Sequence, residues 1–173
     1  MAGVDEAITY TGRNVASRRG VAQTIGTVEL TLTADRFIAT TCGVGLLDRP
    51  RTVSVALAEL VTFAVVPATA AQRMLGEATY DAELLLSYRA EGRLQRRRFL
   101  IDSQSPELRR ILGVLAAARP EASRLDADPV EAYRETGLAN PARTVKILLA
   151  VLIGVPLLIS LIMIVLAATG NAA

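Results

Sequence analysis

The side chains best suited to binding a ligand are four arginines that lie close together in the sequence. They are Arg93, Arg96, Arg97 and Arg98, in a segment that alternates like a β-strand. Successive side chains of a strand point to opposite faces, so Arg96 and Arg98 share one face and Arg97 lies on the other. Together they form a predicted interaction patch for anionic lipid headgroups or an acidic partner protein. Alternatively, they are the solvated charges of an edge strand, which deter pairing with another sheet.

Catalytic and metal-binding chemistry has little support in the sequence. The 173 residues include no histidine and one cysteine, Cys42. The commonest general base and zinc ligand are therefore missing, and an intramolecular disulfide is excluded. No nucleophile elbow, phosphate-binding loop or H-E-x-x-H zinc motif can be written from these residues. We predict that the protein is not an enzyme and has no catalytic, metal-binding or cofactor-binding residues.

The overall charge gives no reason to expect nucleic acid as a partner. The formal net charge is +2, and most basic and acidic residues are interspersed along the chain. No aromatic side chains interleave with the arginines, as they do on platforms that stack bases.

Period-two alternation predicts an antiparallel β domain. In its first clear strand, Val28, Leu30 and Leu32 share one face, and polar residues occupy the other. The longest alternating segment is interrupted only by Leu85, and glycine at position 92 marks the turn that follows it. The predicted strands are residues 27–33, 36–41, 51–57, 60–66, 78–89 and 94–101, with a further strand near residues 7–11.

The period then changes to that of an amphipathic helix. Ser105 supplies a capping hydroxyl, and Pro106 is suited to the first helical position. The apolar stripe that should pack on the sheet consists of Leu108, Ile111, Leu112 and Leu115.

Residues 147–168 predict a single transmembrane helix, because they contain no charged side chain. Arg143 and Lys146 precede this segment, which by the positive-inside rule places the upstream domain on the cytoplasmic side of the plasma (inner) membrane. The span lies near the C-terminus, as in a tail-anchored protein. Three residues of the span are candidates for packing against another helix: Ala150, Gly154 and Pro156.

These patterns divide the chain into five predicted segments. They are an N-terminal lead-in (1–24), a β domain with a capping helix (25–120), a polar juxtamembrane linker (121–146), the transmembrane helix (147–168) and a short tail (169–173).

The order of six to seven short antiparallel strands and one amphipathic helix resembles the pleckstrin-homology-like (PH-like) superfold. The segment TVSVALAELVTFAVV is similar to consecutive strands of bacterial PH-like domains, and the resemblance covers residues 25–118. It implies a mainly β, α+β fold, a small barrel or sandwich capped by the helix. A different small barrel or β-sandwich, or a mixed α+β fold, is the alternative. Phosphoinositide recognition is not carried over, because the first hairpin loop has only Arg36 nearby.

These features together predict a membrane-tethered, non-enzymatic interaction module, a subunit or assembly factor of a membrane protein complex. The expected partners are the membrane and other membrane protein subunits. The alternative is a peripheral sensor of anionic lipid that uses the arginine-rich hairpin.

Overall fold

The structure is a computed structural model that describes residues 7–18, 21–43, 49–69, 80–140 and 150–163. The chain divides into two compact units, Met1–Ala139 and Asn140–Ala173. The first unit holds seven strands, which are β1 (Ile8–Arg18), β2 (Val21–Leu32), β3 (Arg36–Gly43), β4 (Arg51–Ala56), β5 (Leu60–Pro67), β6 (Ala82–Ala90) and β7 (Arg93–Ile101). The α-helices among its described residues are α1 (Pro106–Ala118) and α2 (Pro129–Thr136), and short 3₁₀ turns occupy Leu57–Glu59 and Pro120–Ala122.

All seven strands form one antiparallel sheet in the order β4-β3-β2-β1-β7-β6-β5. The sheet is curled. Strand β4 comes close to β6, although the two strands are far apart in the pairing order. The first two strands are longer than the sequence indicated, since β1 runs from Ile8 to Arg18. The chain is therefore mainly β, as the alternating segments predicted.

The main core fills the inner face of this curled sheet. Alternation places Val28, Leu30 and Leu32 of β2 inside, each fully buried, and leaves Glu29 outside. Strands from both ends of the sheet contribute to the same cluster, including Phe37 of β3. Each large apolar side chain buried there contributes about 1.5–3 kcal/mol.

The hairpin of β6 and β7 is closed by a two-residue turn at Glu91 and Gly92. Both residues have positive φ, 51° and 73°, as a type I′ turn requires. The turn sets the register in which Ala90 pairs with Arg93 and Ala82 pairs with Ile101. The side chains of β7 are thereby held at fixed positions over those of β6.

Helix α1 begins where its sequence predicted. The Ser105 hydroxyl accepts a hydrogen bond from the Leu108 backbone N–H, and Pro106 occupies the first turn. The buried residues of α1 are Leu108, Ile111, Leu112 and Leu115, which are the four of the predicted stripe. They join the main core and close its inner side.

Helix α2 forms a second layer on the outer face of β5 and β6. Asp128 caps its first turn, and Gly137 ends it in the left-handed conformation. Leu85 packs with Ala132 and Tyr133 in a small apolar cluster that is separate from the main core. The sheet is therefore covered on both faces along β5 and β6.

The predicted transmembrane helix is wrong, and with it the last element of the predicted fold class. In the second unit the structure describes a helix over residues 150–163. No helix among the described residues is long and apolar enough to cross a membrane. The membrane anchor, the tail-anchored topology and the inner-membrane placement are corrected on this finding. The two ends of the predicted span, 147–149 and 164–168, lie outside the described residues.

Truncation of α1 at its core contact should destabilise the domain strongly. Leu115 is fully buried, so Leu115→Ala is expected to lower the free energy of unfolding by about 2–5 kcal/mol, through lost apolar burial and a residual cavity. Arg110 is exposed on the same helix, and Arg110→Ala should change it by about 0.5 kcal/mol at most. Urea denaturation of both variants measures the difference. Equal losses would contradict the placement of α1 on the core.

Candidate functional site

The four arginines of the predicted interaction patch lie on β7, and its pairing with β6 divides them between two faces. Arg98 lies opposite Leu85 in the register, so Arg96 and Arg98 are on the outer face, which α2 covers. Arg93 and Arg97 are on the opposite face, toward the end of the hairpin. The patch is therefore not one continuous surface.

Arg98 belongs to a buried polar cluster between the sheet and α2. Its side chain is 5% exposed, and its Nη1 lies 4.0 Å from Oε1 of Glu83, which is fully buried. The hydroxyl of Tyr133 donates a hydrogen bond to Oε2 of the same carboxylate. Burial, and secondly the Glu83 charge, raise the pKa of Tyr133 above its ordinary 10.0, so the hydroxyl keeps the proton that it donates.

Arg96 and Arg98 also hold the C-terminal end of α2. Arg96 Nε donates to the Thr136 carbonyl over 3.1 Å, and Arg98 Nη2 donates to the Ala139 carbonyl over 3.1 Å. Cations are favourable at this end of a helix, where carbonyl groups lack partners within the helix. Gly137 makes the approach feasible, because a Cβ there would lie 2.5 Å from Arg96 Nε. Two of the four arginines therefore bind backbone carbonyl groups of their own domain.

The other two arginines belong to what we call the basic hairpin end: Arg89, Arg93, Leu94 and Arg97. All four residues are exposed. Leu94 is 46% exposed and lies opposite Arg89 in the register. Arg97 Nη1 donates only to a neighbouring backbone carbonyl, that of Arg96, over 3.3 Å. Arg89 and Leu94 lie on the outer face, and Arg93 and Arg97 lie on the opposite face, so this end of the sheet presents positive charge on both faces and one exposed apolar side chain.

The predicted helix-packing residues lie on the helix of the second unit. Ala150, Gly154 and Pro156 are all exposed there. A Cβ added at Gly154 would meet no other described atom within 4 Å. Packing of this helix against another one stays a prediction.

A groove that the sequence did not indicate lies between β1 and the first turn of α1. Its volume is about 540 Å³. It is lined by Thr9, Tyr10, Thr11, Tyr80, Asp102, Ser105, Pro106 and Glu107. From the sequence, Ser105 and Pro106 were identified only as a helix start. No local sequence pattern indicates the groove, because it forms where β1 and β7, which are far apart in the sequence, stop pairing.

Tyr10 joins the two walls of this groove. Its hydroxyl oxygen accepts a hydrogen bond from the Asp102 backbone N–H over 2.7 Å. Burial raises the pKa of Tyr10 to about 12. Two carboxylates, Asp102 and Glu107, stand at the same groove, and the hydrogen bond from the Ser105 hydroxyl lowers the pKa of Glu107. The groove is therefore acidic at neutral pH. Within the described part of the chain, no cluster of acidic or thiol side chains is arranged to hold a metal ion.

Comparison with known proteins shows a structural likeness but no sequence relative. No protein-family model and no curated protein matches the chain. Among solved structures, the chain is similar to the hSac2 domain from human phosphoinositide phosphatase Sac2, with 13% identity and a TM-score of 0.48. The match covers 70% of this chain and 78% of that one. The bacterial origin that the sequence resemblance implied gains no support from it.

The similar domain comes from an enzyme, contrary to the prediction that this protein is not one, and that prediction is not carried further. At this identity and TM-score, the likeness assigns neither an activity nor a substrate to the chain.

Removal of the Arg98 guanidinium should be costly. In Arg98→Leu the buried Glu83 carboxylate loses its cationic partner, so the free energy of unfolding should fall by about 3–5 kcal/mol. Arg97→Leu, at the adjacent exposed position, should change it by about 0.5 kcal/mol at most. Guanidinium denaturation compares the two variants. A loss below about 1 kcal/mol in Arg98→Leu would contradict the structural role of this ion pair.

The raised pKa of Tyr10 predicts a loss of stability at high pH. Its folded pKa of about 12 exceeds the ordinary 10.0, so the folded state keeps a proton that the unfolded state releases between these values. This contribution, about 2–3 kcal/mol, is complete below pH 10 and is lost as the pH rises toward 12. In Tyr10→Phe the free energy of unfolding should fall less steeply over this interval. Denaturation at several pH values measures both slopes, and identical slopes would contradict the assignment.

Proposed function

We propose that the chain is an interaction module, an accessory subunit or assembly factor of a protein complex, which binds an acidic partner protein through its basic hairpin end. The observation that carries the proposal is the exposed end of the hairpin, where Arg93 and Arg97 lie on one face of the sheet and Arg89 and Leu94 lie on the other. Exposed guanidinium groups near an apolar side chain suit a protein surface that combines carboxylates with an apolar contact.

We further infer that the domain is PH-like. Support comes from the element order, in which seven antiparallel strands are followed by an amphipathic helix that packs on the inner face of the sheet. The two strands at the ends of the pairing order are β4 and β5, and Phe63 of β5 also forms a bridge with Ser123. The inference concerns fold alone and does not carry a ligand with it.

The rigidity of the hairpin supports a binding role for its end. Its turn has a type I′ conformation, and Arg96 and Arg98, which alternate with the exposed arginines, are fixed on α2. A surface whose backbone is already ordered loses less conformational entropy when it binds. The structural arginines thus help to preorganise the exposed ones.

A second candidate function is the peripheral binding of anionic lipid at the same surface. Leu94 is the observation that favours it, because an exposed apolar side chain at the end of a basic hairpin could enter the headgroup region while the charges meet lipid phosphates. The two functions use the same residues and differ in the partner, so one set of variants separates them.

The double variant Arg93→Gln/Arg97→Gln tests both functions. We expect it to weaken binding of the full-length chain to its anionic partner about five- to tenfold, because two exposed charges are lost. The probes are a glutamate- and leucine-containing peptide and vesicles of phosphatidylglycerol with phosphatidylcholine. Titration at low and physiological salt measures the affinities.

Arg51→Gln/Arg110→Gln is the matched control, since both arginines are exposed away from the hairpin. Salt-dependent peptide binding that only the hairpin variant loses supports the protein-binding function. The same result with vesicles in place of the peptide supports the lipid function. Equal binding by the hairpin and control variants, or no binding to either probe, would refute the basic hairpin end as the site.

A further inference from the structure

Strand β1 is paired along its whole length on one side and over a short stretch on the other. Its pairing with β2 extends from Ile8 to Arg18. Its pairing with β7 involves only Arg13 and Asn14. Among the residues that the structure describes, no strand pairs with residues 8–12 on the β7 side. Every second residue of this stretch directs its backbone N–H and C=O toward that open side.

The pairing stops because the chain leaves β7 at Asp102. Its backbone N–H donates to the Tyr10 hydroxyl and not to a carbonyl of β1. The next N–H, that of Ser103, donates to Asp81 over 2.8 Å. Ser105 then begins α1. The groove between β1 and α1 occupies the place where β7 would otherwise have continued.

The groove offers three kinds of contact side by side. Its lining includes Thr9 and Thr11 of β1 and the aromatic side chain of Tyr80. It also includes two acidic residues, Asp102 and Glu107. The Tyr80 ring already has one guanidinium above it, that of Arg13 at 5.9 Å, which shows that this environment is compatible with a cation.

We propose that the free edge of β1 at residues 8–12 is a second docking site, which takes an extended segment of a partner protein carrying a lysine or arginine. The segment adds to the sheet as a strand through backbone hydrogen bonds. Its basic side chain lies toward Asp102 and Glu107, and charge complementarity therefore selects the segment. This site is separate from the basic hairpin end and opposite to it in charge.

The test uses the full-length chain labelled for NMR and three synthetic peptides. One alternates threonine and valine around a central arginine, the second has glutamate in place of that arginine, and the third keeps arginine but has N-methylated backbone amides. We expect the arginine peptide to shift the backbone amide signals of residues 8–12 and to bind about fivefold more tightly than the glutamate peptide. The N-methylated peptide should bind least, because it cannot donate to the strand edge.

The variant Asp102→Asn/Glu107→Gln keeps the hydrogen-bond acceptors and removes the charges. It should reduce the preference for arginine over glutamate to less than about twofold. The control Glu59→Gln/Asp126→Asn changes two exposed acids elsewhere and should leave the preference intact. Shifts confined to other parts of the chain, equal binding of all three peptides, or no binding would overturn the proposal. Binding of the glutamate peptide at residues 89–97 reports on the basic hairpin end instead, so the two sites are distinguished.

Discussion

The structure depends on one buried carboxylate, that of Glu83 on β6. Removing a charge from water costs several kcal/mol unless nearby groups compensate for it. Arg98 of β7 and Tyr133 of α2 supply a positive charge and a hydrogen bond. Compensation therefore requires that the hairpin keep its register and that α2 lie on the outer face of the sheet. A single side chain thus links two elements that are separated in sequence by a helix and several turns.

The strands and α1 were predictable because their information is local. Alternation identified the buried face of β2, and glycine at position 92 identified the hairpin turn. Two residues, Leu85 and Arg97, interrupt the alternation of apolar and polar side chains, and the sequence does not explain why. Leu85 departs from the pattern because the outer face of β6 has its own apolar cluster under α2. Arg97 lies on the inner face, but near the exposed end of the hairpin, where the core no longer covers it.

The sites were less predictable because they result from contacts over long sequence distances. Arg96 and Arg98 have the same local signature as the exposed Arg93, and only the position of α2 separates them. The groove beside β1 exists because the chain leaves β7 at Asp102, which no periodicity encodes. For residues 147–168, hydrophobicity alone indicated a span. Among the residues that the structure describes, no helix is long and apolar enough to cross a membrane.

The attachment of α2 through its carbonyl groups has a consequence for the mutational tolerance of the chain. A backbone carbonyl is present whatever the side chain, so the residues that accept from the two arginines can vary without loss of the bond. The donors have no such freedom, because lysine lacks the planar fork of Arg96 and Arg98. Gly137 lies beside the accepting residues and is also restricted, because its positive φ and the adjacent guanidinium leave no room for a Cβ. Substitutions should therefore be restricted at the arginines and at this glycine, and permitted at Ala139.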